Sequence, residues 1–176
     1  MPAATGRSRC SAAASGAKCR LAELRVGTAF DAHRLVPGVP LVLGGVAIEH
    51  PSGLAGHSDG DVIAHALIDA LLGAAGLGDV GSLFPSGDER WRGADSMELL
   101  REASRQVAEG GWRLVNADCV LIGEAPRVAP HREEMRRRLS DVVGGEVNVR
   151  ATTTDGLGFT GRGEGLAAHA VALLER

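Results

Sequence analysis

GHSDGDVIAHALIDALLGAAG, from Gly56 to Gly76, is the stretch on which the rest of the chain turns. It opens as an acid-rich, turn-forming cluster and runs straight into an apolar helical pattern. Leu67, Ala70, Leu71 and Ala74 recur at the spacing of an amphipathic helix. Ser58 or Asp59 suits the cap, Asp61 suits the positive end of the helix dipole, and Gly76 suits the left-handed residue that stops the helix. Asp61, His65 and Asp69 are each four residues apart, so they share one helix face. A carboxylate–imidazole–carboxylate stripe beside a Gly-rich turn fits a metal site. It fits a solvated, ion-paired face equally well.

Composition narrows the field. A chain of 176 residues is the size of one domain with a full core. Hydrophobic residues make up 44% and charged residues 23%, the balance of a soluble globular protein. The formal net charge of -3 supplies no basic field for nucleic acid, and no apolar run is long enough to span a membrane. With no Tyr and 3% aromatics, the core must be built from Leu, Val and Ala. Cys10, Cys19 and Cys119 are too few for a disulfide scaffold, and Cys119 lies in an apolar run that suits a buried thiol. A reducing, cytoplasmic setting follows.

Residues 1–22 read as a disordered extension, and residues 23–176 as one domain. The extension is rich in Ala, Ser and Gly and carries Arg7, Arg9, Lys18 and Arg20. That make-up also fits a transit peptide, which would give a plastid address. Leu24 to His33 reads as a strand with Asp31 and His33 on the same side. Leu41 to Ile48 reads as a hairpin turning at Gly44-Gly45, and His50 to Gly56 as loop. Gly78 to Asp88 is a functional loop or short helical turn. Asp95 to Glu109 is a helix, with Asp95 and Glu98 placed for a capping box. Trp112 to Ile122 is a strand, His131 to Val143 a charged helix, Val147 to Thr153 a strand, and Leu166 to Leu174 a final strand. Arg136 to Arg138, beside Glu133 and Glu134, read as a solvated helix face. Strands alternating with helices argue for an α+β fold, a mixed β-sheet with helices packed on one face.

Two constellations carry chemistry. Asp31, His33 and His65 offer one carboxylate and two imidazoles, a ligand set for a divalent transition ion with one position left open. Asp69, one turn after His65, is placed to hold the His65 ring or to pair with a basic residue elsewhere. Thr152 to Asp155 and the glycines after them offer hydroxyls, backbone N–H groups and a carboxylate for phosphate and Mg²⁺; an ordinary Gly-rich turn has the same composition.

The runs FDAHRL (Phe30 to Leu35), AGHSDGDVIAHALIDALLGAAGLGDVGSLFP (Ala55 to Pro85), GADSMELLREA (Gly93 to Ala103) and ATTTDGLGFTGRGEG (Ala151 to Gly165) resemble the 2-C-methyl-D-erythritol 2,4-cyclodiphosphate synthase family. The resemblance spans Arg25 to Arg176. It implies a homotrimer with active sites between subunits and Zn²⁺, or another divalent transition metal, on Asp31, His33 and His65. It implies a methylerythritol pocket at His57, Ser58, Asp79, Val80, Gly81, Phe84 and Asp88. It implies a nucleotide cradle at Gly123, Glu124, Ala125, Pro126, Arg127, Val128 and Ala129. Thr152, Thr153, Thr154 and Asp155 would hold the diphosphate, with Asp155 on Mg²⁺ or Mn²⁺. Phe159 and Arg162 are further substrate contacts, and Arg162 and Glu164 adjoin a trimer-axis cavity for an isoprenoid diphosphate. Ser86 stands where the family often has Asp, Asp155 where Glu is common, and Arg127 where Lys is frequent.

The implied reaction is intramolecular phosphoryl transfer in 4-diphosphocytidyl-2-C-methyl-D-erythritol 2-phosphate, giving the cyclic diphosphate and CMP. A nucleotide-diphosphate metallohydrolase and a non-enzymatic isoprenoid-diphosphate binder are the competing classes. Retention of every presumed metal ligand argues against the binder.

Overall fold

A computed structural model describes residues 22–85 and 87–176. The expected N-terminal extension, but for Ala22, and the departure at Ser86 lie outside the described residues.

The chain opens with a long strand, β1 (Leu24–Pro37), and then a hairpin, β2 (Leu41–Leu43) and β3 (Val46–Ile48). Gly44 and Gly45 turn the hairpin with φ of 55° and 72°, a pair of left-handed residues that glycine adopts without penalty. The segment expected to be loop contains a further short strand, β4 (Ser52–Leu54), antiparallel to β1 with Leu54 opposite Leu35. Three residues are too few for an alternation pattern to show. Then come α1 (Val62–Ala75), the single turn α2 (Val80–Leu83), α3 (Ser96–Glu109) and β5 (Arg113–Ile122). The chain closes with α4 (Arg132–Val143), β6 (Glu146–Thr152), the single turn α5 (Gly158–Gly161) and β7 (Gly165–Glu175).

The main sheet runs in the order β4-β1-β7-β5-β6. Only β5 and β6, joined across α4, are parallel; the other pairs are antiparallel. The helices form one layer on this mixed sheet. α1 lies on β1, β7 and β5, α4 lies on β6, and α3 packs on both helices. Among the described residues, no helix is long and apolar enough to cross a membrane.

Two expectations about α1 change. The helix is not amphipathic in the ordinary sense: twelve of its fourteen residues are buried, because the sheet covers one side and the other helices much of the rest. Its cap is Asp61, not Ser58 or Asp59, and the Asp61 side chain accepts from the N–H groups of Ile63 and Ala64. The Asp61 carboxylate also accepts from Gly44 N at 2.9 Å and Gly45 N at 2.7 Å, so it joins the hairpin turn to the helix start. Burial pushes this carboxyl above its usual range, while the amides of Gly45, Gly44 and Ala64 pull against it. Gly76 ends the helix in the left-handed conformation, as the sequence implies.

Gly27 explains how close α1 comes to β1. A Cβ at this position would stand 1.9 Å from the Ala70 carbonyl oxygen, so only glycine permits the approach. Residues two apart on β1 share a face, so Asp31 and His33 point to the same helix-bearing side as Gly27. Elsewhere, Asp95 caps α3 through Met97 N, while Glu98 pairs with Arg101 instead of completing a capping box. Cys119 is fully buried, and burial pushes its thiol up to about 12. Arg136, Arg137 and Arg138 of α4 pair with Glu133, Asp141 and Glu134 on the same helix, the solvated face expected of them.

Asp61→Ala removes the acceptor of four backbone N–H groups, three of them at fully buried sites. It is expected to lower the unfolding free energy by about 3 kcal/mol or more, seen as a fall in the urea midpoint with an unchanged slope.

Candidate metal centre and adjoining cleft

Asp31 and His33 arrive on β1, and His65 arrives on the first turn of α1. Their ligand atoms converge. His33 Nε2 lies 2.9 Å from Asp31 Oδ2, His65 Nδ1 lies 3.2 Å from the same oxygen, and the two ring nitrogens are 3.0 Å apart. Ligands at about 2.0–2.1 Å from a tetrahedral ion are separated by roughly 3.3 Å, so the triangle fits one face of such a site. Among the described residues, these three are the group of His, Cys, Asp and Glu placed to hold a metal ion.

Each imidazole is held by its other nitrogen. His33 Nδ1 is 2.6 Å from the Ala55 carbonyl oxygen, which can only accept, so Nδ1 carries the proton and Nε2 is free to coordinate. His65 Nε2 lies 2.9 Å from both Ser58 Oγ and Ser96 Oγ. Asp69 does not touch the His65 ring: its carboxylate accepts from Val80 N at 2.6 Å and fixes the start of α2. Burial pushes the Asp69 carboxyl above its usual range. Asp61 also leaves the proposed stripe, turned to the backbone amides described above.

Asp31 is held as an anion, the form that binds a cation. Burial alone would raise the Asp31 carboxyl, but the adjacent His33 and His65 rings, which donate to it when protonated, outweigh burial and hold the group well below the usual carboxylate range. The hydrogen bond to Asp31 in turn raises His33 above an ordinary imidazole, against the opposing effect of burial.

The cluster opens into a cleft of about 260 Å³ lined by His57, Ser58, Val80, Gly81, Phe84, Trp91 and Leu99. Five of the expected pocket residues are therefore together. Asp79 and Asp88 are not in this lining. Asp79 closes a capping box with Ser82 on α2, and Asp88 caps a short 3₁₀ turn and pairs with Arg90. Trp91, Leu99 and Ser96 were not anticipated. Ser96 and Leu99 lie within the Gly93 to Ala103 run already singled out and Trp91 just before it, but none has a spacing of its own to mark it. Phe84 and Trp91 pack edge to face at 5.0 Å as one wall. His57 Nε2 and Trp91 Nε1 are buried without a hydrogen-bond partner, two polar atoms in a largely apolar lining.

The other expected residues form a second cluster at the same end of the sheet. β5 and β6 are parallel, so the Gly123 to Ala129 and Thr153 to Leu157 loops leave side by side, tied by Gly123 N donating to Thr152 O at 3.0 Å. Glu124 accepts from Thr154 N and Gly156 N, and Thr153 Oγ1 donates to Asp155. Asp155 has φ of 53°, left-handed for a non-glycine residue and a sign of a constrained turn. β7 separates this cluster from β1, the strand that carries Asp31 and His33, within one chain. Phe159 flanks a separate cleft with Ala32, His33, Arg34 and Glu164, and Arg162 pairs with Glu164 at 2.7 Å.

Comparison with known proteins places the chain in a family. The model of the YgbB family matches residues 24–175. The 2-C-methyl-D-erythritol 2,4-cyclodiphosphate synthase of Moorella thermoacetica is 56% identical over 154 residues, covering 86% of this chain and 94% of that one. A solved cyclodiphosphate synthase in its CDP-bound form is 43% identical with a TM-score of 0.78, covering 85% of this chain and 99% of that one. The bifunctional IspDF of Campylobacter jejuni is 42% identical with a TM-score of 0.84; it covers 88% of this chain, which spans only 43% of that longer one.

His65→Ala is expected to weaken zinc binding at least about 100-fold in a chelator competition while leaving the far-UV circular dichroism unchanged. Because His33 holds its proton to higher pH than a free imidazole and must lose it to coordinate, zinc affinity of the wild type should fall steadily from mildly alkaline to mildly acidic pH.

Proposed function

Because the chain belongs to the YgbB family, we propose that it does what its named relatives do, as a 2-C-methyl-D-erythritol 2,4-cyclodiphosphate synthase of isoprenoid synthesis. It is a lyase that converts 4-diphosphocytidyl-2-C-methyl-D-erythritol 2-phosphate to the 2,4-cyclodiphosphate and CMP. The observation that carries this reading is the Asp31–His33–His65 cluster opening into the cleft walled by His57, Ser58, Gly81 and Phe84.

The residues divide the work. Asp31 Oδ2, His33 Nε2 and His65 Nδ1 would hold a divalent ion, with Zn²⁺ best suited to a mixed N/O set, and Asp155 would hold Mg²⁺ or Mn²⁺ on the substrate phosphates. Bound there, such ions supply neutralisation of phosphoryl charge. His57, Ser58 and the Val80-Gly81 backbone bind the methylerythritol portion. Phe84, Trp91 and Leu99 exclude water from it, and the unpartnered His57 and Trp91 nitrogens suit its hydroxyls. Gly123 to Ala129 and Thr152 to Thr154 cradle the cytidine diphosphate, with further contacts from Phe159 and Arg162.

The 2-phosphate oxygen attacks the β-phosphorus in line, a new P–O bond forms, and the P–O bond to the α-phosphate breaks to release CMP. The nucleophile is already anionic near neutral pH, so the chain supplies no general base. Its contribution is to orient the two ends of a flexible molecule in a shaped cleft, which removes much of the entropic barrier to ring closure. Hydrolysis would instead require water at the same phosphorus, and the apolar wall opposes its entry.

The assembly is a homotrimer with each active site completed by a neighbour. Support comes from the sheet face that the helices leave bare, where Leu24, Val26 and Phe30 are 58%, 68% and 58% exposed. It comes also from the separation of the two substrate-binding clusters within one chain. Arg162 and Glu164 then adjoin an axial cavity suited to an isoprenoid diphosphate.

Phosphorus NMR of the full chain with cytidyl substrate, Mg²⁺ and trace Zn²⁺ tests the reaction. The expected result is one cyclic diphosphate per CMP; inorganic phosphate or an open-chain product would establish the hydrolase instead. Val26→Asp is expected to leave a folded monomer by light scattering with turnover reduced about 100-fold or more, the scale on which misplaced substrate groups act.

A further inference from the structure

Ser96 opens α3, yet its side chain is fully buried. Its hydroxyl touches three groups. Oγ is 2.9 Å from His65 Nε2, 3.1 Å from Ser58 Oγ, and hydrogen-bonded to Asp59 Oδ1. Asp59 is held by other donors as well: Asp61 N reaches Oδ1 at 3.1 Å and Ser96 N reaches Oδ2 at 3.2 Å. A carboxylate so surrounded only accepts.

Counting protons then gives the chain a direction. Ser96 has one hydroxyl hydrogen, and it is committed to Asp59. Ser96 Oγ is left able only to accept from His65, so His65 Nε2 carries the ring proton. The neutral ring keeps its lone pair on Nδ1, the atom 3.2 Å from Asp31 Oδ2 and 3.0 Å from His33 Nε2. Ser58 Oγ, also 2.9 Å from Nε2, accepts from Gly60 N and gives its own proton to Ser96 Oγ at 3.1 Å, which keeps the order.

We propose that Ser96 and Asp59 are positioning residues for the metal centre: the relay Asp59 ← Ser96 ← His65 Nε2–H selects the tautomer and the ring orientation that present Nδ1 to the ion. The inference rests on reading Asp31, His33 and His65 as a metal centre. The relay does for His65 what the Ala55 carbonyl does for His33, but with side chains, so it can be removed by mutation. It also ties three separate segments to one ring: the loop before α1, α1 itself and the start of α3.

The test uses the full chain, stripped of metal and held at mildly alkaline pH, with two readouts. Long-range proton–nitrogen NMR of ¹⁵N-histidine protein reports the tautomer, with His65→Ala identifying the signal. Zinc titration against a competing chelator reports affinity. The wild type should show His65 protonated at Nε2. Ser96→Ala should bind zinc about 10- to 100-fold more weakly, with an unchanged far-UV spectrum. A wild-type His65 protonated at Nδ1 overturns the relay, and so does wild-type zinc affinity in folded Ser96→Ala. If Ser96→Ala fails to fold, the wild-type tautomer alone decides. Wild-type protein that binds no zinc overturns the metal-centre reading itself.

Discussion

A single buried carboxylate organises this fold. Asp61 takes two N–H groups from the Gly44-Gly45 turn and two from the first turn of α1. Burying a carboxylate is costly, and only this set of donors offsets it. The result is that the hairpin, the helix start and the HSDGD loop are locked to one point. His65 follows one turn later and therefore enters the site at a fixed height and angle. Glycine at 44 and 45 is required twice over, for the left-handed turn and for two amides pointing the same way.

The Asp31–His33–His65 cluster inherits this rigidity. β1 is held on both edges, by β4 and by β7, and the missing side chain at Gly27 lets α1 press onto it. Asp31 and His33 are thus fixed relative to a helix that cannot slide. Two imidazoles and a carboxylate kept within about a hydrogen bond of one another form a ligand set of the kind a divalent ion takes. The low Asp31 carboxyl and the raised His33 express the attraction between that carboxylate and its imidazoles. The cleft beside them is walled by packing, through the Phe84–Trp91 contact and the Asp69 bond that anchors α2.

The helix stripe shows how far one-dimensional spacing carries. Asp61, His65 and Asp69 do share a helix face, as their spacing requires. They nonetheless serve three different purposes: one caps the helix and holds the hairpin, one faces the metal site, and one anchors the following turn. Spacing reports the direction of a side chain but not its partner. The partners of Asp61 and Asp69 are backbone amides from segments up to 17 residues away, and an amide carries no sequence signature. Ser96 was missed for the same reason, since a serine at the start of a helix reads as an ordinary terminal residue.

Sequence alone determined the order of the main strands and helices, the hairpin at Gly44-Gly45, the Gly76 stop, and the ligand trio, because each depends on local periodicity, turn chemistry or residue type. It also carried the resemblance that the family comparison bears out. Tertiary structure decided what had no local cause: β4, whose three residues pair only because β1 presents an open edge, the near-total burial of α1, the identity of the helix cap, and the hydrogen-bond partners of His65. These follow from hydrogen bonds and packing between segments distant in sequence, and such contacts exist only once the sheet and its helices have closed on one another.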